Sequence, residues 1–204
     1  MNWEFIVNLN MITDINQLDF TKQYTYADYL TWRFTDRVEL IKGWIKKMSP
    51  APNMMHQKIS FNLCVEIGTF FKTNHCKVFA APFDVRLINK RKSTDNSQIS
   101  TVVQPDLCII CDENKLDENG CIGAPDWIIE ILSPGNTKKE TQEKFSLYEE
   151  NLVKEYWIVQ PGDQNILVFD LIHDKYQLRK IFTNEDVVPS RIFAELHINF
   201  ADIF

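Results

Sequence analysis

The 204-residue chain contains no apolar run approaching the roughly 18 residues that a membrane-spanning helix needs, so no membrane partner is expected. Its first twenty residues, MNWEFIVNLNMITDINQLDF, contain neither Lys nor Arg and therefore lack the basic start of a secretory leader. Cysteine is scarce: the five present are an odd number without framework spacing. That excludes a secreted disulfide scaffold and predicts reduced thiols in a cytoplasmic protein. A positive balance is missing too, since the formal net charge of -6 argues against coating nucleic acid by bulk electrostatics. Internal repeats and low-complexity tracts are also absent.

What remains has the composition of an ordinary globular chain, 45% hydrophobic and 25% charged, long enough for one substantial core. A single domain over 1–204 is the expectation. Two local basic stretches stand out: Arg33, Arg37, Lys42, Lys46 and Lys47 in one, and Arg86, Lys90, Arg91 and Lys92 in the other. The simplest reading of each is a solvated face.

Thr25 and Asp28 form a capping-box pattern ahead of YADYLTWRF, predicting a short helix, and VELIKGWIKKMS alternates as a strand or hairpin does. The PAP at 50–52 stops that segment. Ile59, Leu63, Ile67, Phe70 and Phe71 recur at helical spacing and predict an amphipathic helix from Met54 to about Lys72. KVFAAPFDVRLI, VVQPDLCIICD, entered at Pro105, and DWIIEILS are predicted as three strands, with NKRKSTDNSQIS a polar turn and DENKLDENGCIG a loop. Thr137 and Glu140 cap a second helix, KETQEKFSLYEEN, and EYWIVQP, NILVFDLI, KYQLRKIF and HINFADIF follow as strands. This order predicts a mixed α/β or α+β sheet with helices packed on it.

One feature breaks the apolar pattern. APDWIIEILS, residues 124–133, holds Glu130 within a run of large aliphatic side chains, where an ionised carboxylate needs a partner, a metal or a proton. If its strand neighbours VVQPDLCIICD, Asp106 and Glu130 face each other and their repulsion calls for a cation. Two carboxylates with water-filled sites suit Mg²⁺. Glu140, Lys144 and Tyr148 lie at i, i+4 and i+8 on the following helix, a stripe that can bring Lys144 toward the carboxylates or remain a solvated Glu-Lys pair. A lysine beside a metal-bearing carboxylate pair is suited to phosphodiester hydrolysis.

VELIKGWIKKMSPAPNMMHQ, APFDVRL, VVQPDLCII, GAPDWIIEILSP, EKFSLYE and VKEYWIVQP span most of residues 24–161. In order and spacing they resemble the Uma2 family of restriction-endonuclease-like proteins, a former domain of unknown function within the PD-(D/E)XK nuclease superfamily. The resemblance implies a restriction-endonuclease-like core at about 36–161, with extra N- and C-terminal strands. It further implies a DNA endonuclease using Mg²⁺ or Mn²⁺, with a homodimer as one assembly. Asp106 matches the first metal-binding aspartate and Glu130 the acidic residue of the second half-motif. Leu132 stands where that half-motif carries lysine, and Lys144 matches a lysine moved to the next helix. Glu39 and His56 match further positions that look like active-site neighbours, and Asp84 and Gln104 are weaker candidates.

Without the resemblance, Glu39 is the solvent face of an edge strand and His56 an exposed residue near a helix start. Asp126, after Pro125, belongs to the turn that opens its strand. Cys108 and Cys111, three apart on a strand, point to opposite faces and cannot grip one metal unless a zinc site recruits Cys121 or His75. Ser133 lies outside any nucleophile elbow and is structural. Against the endonuclease stands a second function, a nuclease-fold module that binds nucleic acid or protein without cutting.

Overall fold

The computed structural model describes residues 11–48, 53–88, 93–135 and 137–204. The expected PAP stop at 50–52 and the basic residues Lys90, Arg91 and Lys92 lie outside the described residues.

A hairpin opens the first sheet. Strands β1 (Val38–Ile41) and β2 (Trp44–Lys47) pair antiparallel around Lys42 and Gly43, both at positive φ. That is the backbone of a two-residue turn matched to strand twist. A Cβ on Gly43 would lie 2.9 Å from Gln23, so glycine is required there by space as well as by conformation. Helix α1 (Tyr26–Tyr29) precedes the hairpin, with the Thr25–Asp28 capping box formed, and helix α2 (Met54–Phe71) follows it, capped by Asn53. The helix expected over YADYLTWRF stops at Tyr29, because Trp32 bridges to Ile12 instead.

Two expected strands each divide in two. KVFAAPFDVRLI forms β3 (Lys77–Ala80) and β4 (Val85–Arg86), and VVQPDLCIICD forms β5 (Val102–Val103) and β6 (Leu107–Ile110). Pro82 and Pro105 sit at the breaks, where a residue without an N–H cannot continue a ladder, and the chain crosses to another sheet. The expected loop over DENKLDENGCIG holds a small hairpin, β7 (Leu116–Asp117) and β8 (Gly120–Ile122). The first sheet then runs β2-β1-β5-β4-β8-β7.

The second sheet is built on β9 (Trp127–Ile131) and β10 (Glu155–Gln160), which are parallel and joined by helix α3 (Lys138–Glu150) as the crossover. With β11 (Asn165–Ile172) and β12 (Lys175–Phe182) its order is β12-β11-β10-β9-β6-β3. Strands β13 (Val187–Pro189) and β14 (His197–Asn199) form a separate pair. HINFADIF is strand only to Asn199 and ends in the short helix α4 (Phe200–Ile203).

Alternation along β9 separates two cores. Trp127, Ile129 and Ile131 pack with Ile59, Leu63 and Ile67 of α2, whereas Ile128 packs with Leu147 and Tyr148 of α3. Burial of each such side chain stabilises by about 1.5–3 kcal/mol. Glu130, in phase with Ile128, is thereby directed to the α3 side.

The expectation of five reduced thiols fails for two of them. Cys76 and Cys111 form a disulfide, because the pairing of Lys77 with Ile110 sets them opposite one another just beyond the β3–β6 ladder. Among the described residues no helix is long and apolar enough to cross a membrane.

Candidate active site

β6 and β9 are antiparallel, with Leu107 opposite Ile129, so Asp106 stands opposite Glu130 one step beyond the last pair. The break at Pro105 leaves Asp106 outside the ladder with its carboxylate available. Its Oδ2 accepts from the Ile131 amide at 2.7 Å, and its Oδ1 lies 3.3 Å from Nε2 of His56. His56 is buried on the first turn of α2, not exposed. Burial opposes its protonation, but Asp106, with smaller help from the Ile131 backbone and Glu130, outweighs that and raises its pKa. Nδ1 of His56 is buried without a hydrogen-bond partner.

Glu130 is 7% exposed. Its Oε1 accepts from Lys144 Nζ at 2.8 Å and from the Tyr148 hydroxyl at 2.6 Å. The capping box starting α3 fixes the phase of that helix, so Lys144 and Tyr148, one turn apart, reach the same oxygen. Burial pushes the Glu130 pKa up to about 7; Lys144 opposes the shift, while Asp106 and Glu39 add to it. Lys144 also donates to Glu39 Oε1 at 3.0 Å. Burial works against its charge, yet the Glu130 and Glu39 carboxylates outweigh that and keep it an ammonium.

Glu39 is buried at 5% exposure, not on a solvent face, because α3 covers the hairpin there. Its Oε1 also accepts from the Gln104 amide at 2.9 Å. Gln104 Nε2 in turn donates to Asp84 at 2.8 Å, and Gln104 Oε1 accepts from Arg37. The structure therefore brings Glu39, His56, Asp106, Glu130 and Lys144 to one cleft of about 300 Å³. Gln104 lines it as a connector, whereas Asp84 stands behind Gln104 with its pKa raised by burial.

Asp126 is elsewhere. It accepts from Lys154 at 2.6 Å and from the Cys111 amide at 2.9 Å, and these outweigh burial to hold its pKa below the ordinary value. Cys108 and Cys111 pack into different cores, so the CxxC spacing makes no joint site. His75 lies near Cys76 and Cys111 instead, but those two sulfurs are bonded to each other.

Three further side chains reach the cleft. Tyr148, in the α3 stripe, bonds to Glu130. Arg37 and Lys46 line the cleft instead of forming only a solvated face. Strand alternation carried the signal: Arg37 is in phase with Glu39, and Lys46 is its cross-strand partner.

The family model of Uma2, described as "Putative restriction endonuclease", matches residues 26–201. A solved structure of "a putative nuclease belonging to DUF820 from Anabaena variabilis ATCC 29413" is similar in fold, with a TM-score of 0.70 and 23% identity over 89% of this chain and 97% of that one. No curated protein matches. The family match encloses both carboxylate strands, α3 and the hairpin that supplies Glu39, and on that match the chain belongs to the Uma2 family.

Proposed function

We propose that this protein is a DNA endonuclease that hydrolyses phosphodiester bonds with the help of Mg²⁺ or Mn²⁺. The observation that carries the reading is Lys144, a partly buried ammonium bridging Glu39 and Glu130 in a cleft that also holds Asp106.

The donor set fits a hard divalent cation. Asp106 and Glu130 offer carboxylate oxygens, the ligand type that Mg²⁺ and Mn²⁺ prefer, with waters completing the coordination. Burial, with the neighbouring Asp106 and Glu39 carboxylates, raises the Glu130 pKa against the pull of Lys144, so a further cation beside these carboxylates would favour the ionised form. A bound divalent ion supplies Lewis-acid stabilisation of charge on the phosphate and lowers the pKa of a coordinated water.

The chain's own residues divide the remaining work. An ammonium has three N–H donors; Glu39 and Glu130 take two from Lys144 and leave one for the attacking water or a phosphate oxygen. Held as an ammonium, Lys144 orients and stabilises rather than removing a proton. Nε2 of His56 and the Ile131 amide fix the two oxygens of Asp106, and Tyr148 fixes Glu130, so neither carboxylate must reorganise during the reaction.

Incubation of purified protein with supercoiled plasmid tests the reading. Nicking is expected with Mg²⁺ or Mn²⁺, to stop with chelator, and to be lost in Asp106→Asn. A wild type that nicks no DNA with either ion, or an Asp106→Asn that nicks as well as wild type, overturns it.

A further inference from the structure

Three cations besides Lys144 line the cleft: Lys47 lies over the Phe20 ring, whereas Arg37 and Lys46 have polar partners of different kinds. Arg37 and Lys46 flank Glu39 at the β1–β2 hairpin: Lys46 is its cross-strand partner, and Arg37 immediately precedes β1, its carbonyl accepting from the Met48 amide at 3.0 Å. Both line the cleft. Arg37 is exposed, and its guanidinium donates to the neutral amide oxygen of Gln104 at 2.9 and 3.3 Å. Among the described residues no carboxylate pairs with it. Lys46 reaches across the mouth to Glu143 on α3, at 2.9 Å, with the side chains 37% and 31% exposed. Glu143 immediately precedes Lys144, so this ion pair ties the two walls together beside the catalytic ammonium.

A polyanion approaching this cleft meets Glu39, Asp106 and Glu130 at the base and Glu143 at the rim. A metal ion compensates the base but not Glu143. A phosphate oxygen is the same kind of acceptor for an ammonium as a carboxylate oxygen, and the Lys46 side chain is partly exposed. Because the Lys46–Glu143 pair is solvent-screened, its exchange for a phosphate contact costs little.

We propose that Arg37 and Lys46 form the binding wall for the phosphodiester backbone of the substrate strand. Glu143 acts as an internal stand-in for phosphate: it holds Lys46 in the free protein and gives it up when a backbone phosphate arrives. This rests on the nuclease reading and adds the residues that seat the substrate and the contact that must break first.

A double-mutant cycle on DNA binding tests the proposal without relying on cleavage. Affinity for a fluorescent DNA duplex is measured by anisotropy, with Ca²⁺ present, for wild type, Lys46→Ala, Glu143→Gln and the double variant. Lys46→Ala is expected to weaken binding and to reduce the slope of log Kd against log salt by about one. Glu143→Gln is expected to tighten binding roughly two- to five-fold, the range of a screened ion pair, and to have no effect once Lys46 is gone. Inorganic phosphate competing weakly and equally in all four proteins places the ligand on a strand; phosphate displacing DNA at low concentration from wild type alone overturns the strand assignment. If Glu143→Gln tightens binding equally in the Lys46→Ala background, Glu143 acts through general repulsion and the exchange is wrong. A wild type that binds no DNA also overturns it. A protein that cuts while Lys46 and Glu143 prove uncoupled overturns this inference and leaves the nuclease reading standing.

Discussion

Lys144 Nζ lies 2.8 Å from Glu130 Oε1 although the two residues come from a helix and from the strand before it. The same nitrogen lies 3.0 Å from Glu39, so one ammonium serves two buried carboxylates. Removing it leaves both without a cation in a poorly hydrated site, each holding only a neutral donor. Lys144→Ala is therefore expected to destabilise the protein by about 3 kcal/mol as well as to abolish cleavage. Urea unfolding checks this; a variant as stable as wild type would mean that the carboxylates do not depend on Lys144.

The raised pKa of Glu130 sets a pH dependence. A folded-state value of about 7 against 4.5 in the unfolded chain means that the native protein binds the extra proton. This contribution to stability is fully present below about 4.5 and is lost as pH rises through about 7. Metal-free Glu130→Gln, whose amide stays neutral, is expected to lose that slope and to melt at least as high as wild type near pH 8. Thermal melts from pH 5 to 8 in chelator decide it, and an unchanged slope would place the titration elsewhere. The same variant is expected to lose roughly 10²–10³ in cleavage rate, because the site trades stability for function.

Asp126 supplies the contrasting case. Its pKa is held below 3.8 by Lys154 and the Cys111 amide, so its contribution is present above that value and is lost as pH falls through the lowered one. Asp126→Asn is expected to cost about 1 kcal/mol at neutral pH, to flatten the acid limb of the stability curve, and to leave cleavage intact. Loss of cleavage in a folded Asp126→Asn protein would show that the second Pro-Asp pair belongs to the site.

A fourth expectation concerns the phenol that shares the Glu130 oxygen. Tyr148→Phe removes the 2.6 Å bond to Oε1 while keeping the packed ring. Cleavage is expected to fall roughly ten-fold, with the loss in kcat rather than KM, since Tyr148 positions Glu130 and is buried away from substrate. A change confined to KM would speak against a positioning role.

Local pattern carried the elements that are regular over many residues. The 3.6-residue spacing of Ile59, Leu63 and Ile67, the Thr137–Glu140 box and the alternation around Glu130 each report on a single element, and each appears in the structure. What depends on two distant segments was not legible. The breaks at Pro82 and Pro105 look like bends within one strand until the partner strands are known, and only the β3–β6 register sets Cys76 against Cys111. Glu39 looked like a solvent-facing residue because nothing in VELIKG announces that α3 will cover it. The Lys144–Glu130 contact was within reach, because helical phase and strand phase were both readable and needed only the crossover to join them.

Metal-dependent hydrolysis at the Glu130–Lys144 pair is decided by plasmid nicking with Mg²⁺ or Mn²⁺ for wild type, Glu130→Ala and Lys144→Ala, each compared at equal folded concentration. Metal-dependent nicking is expected of wild type and none of either variant; equal nicking by all three proteins would rule out a role for this pair in the reaction.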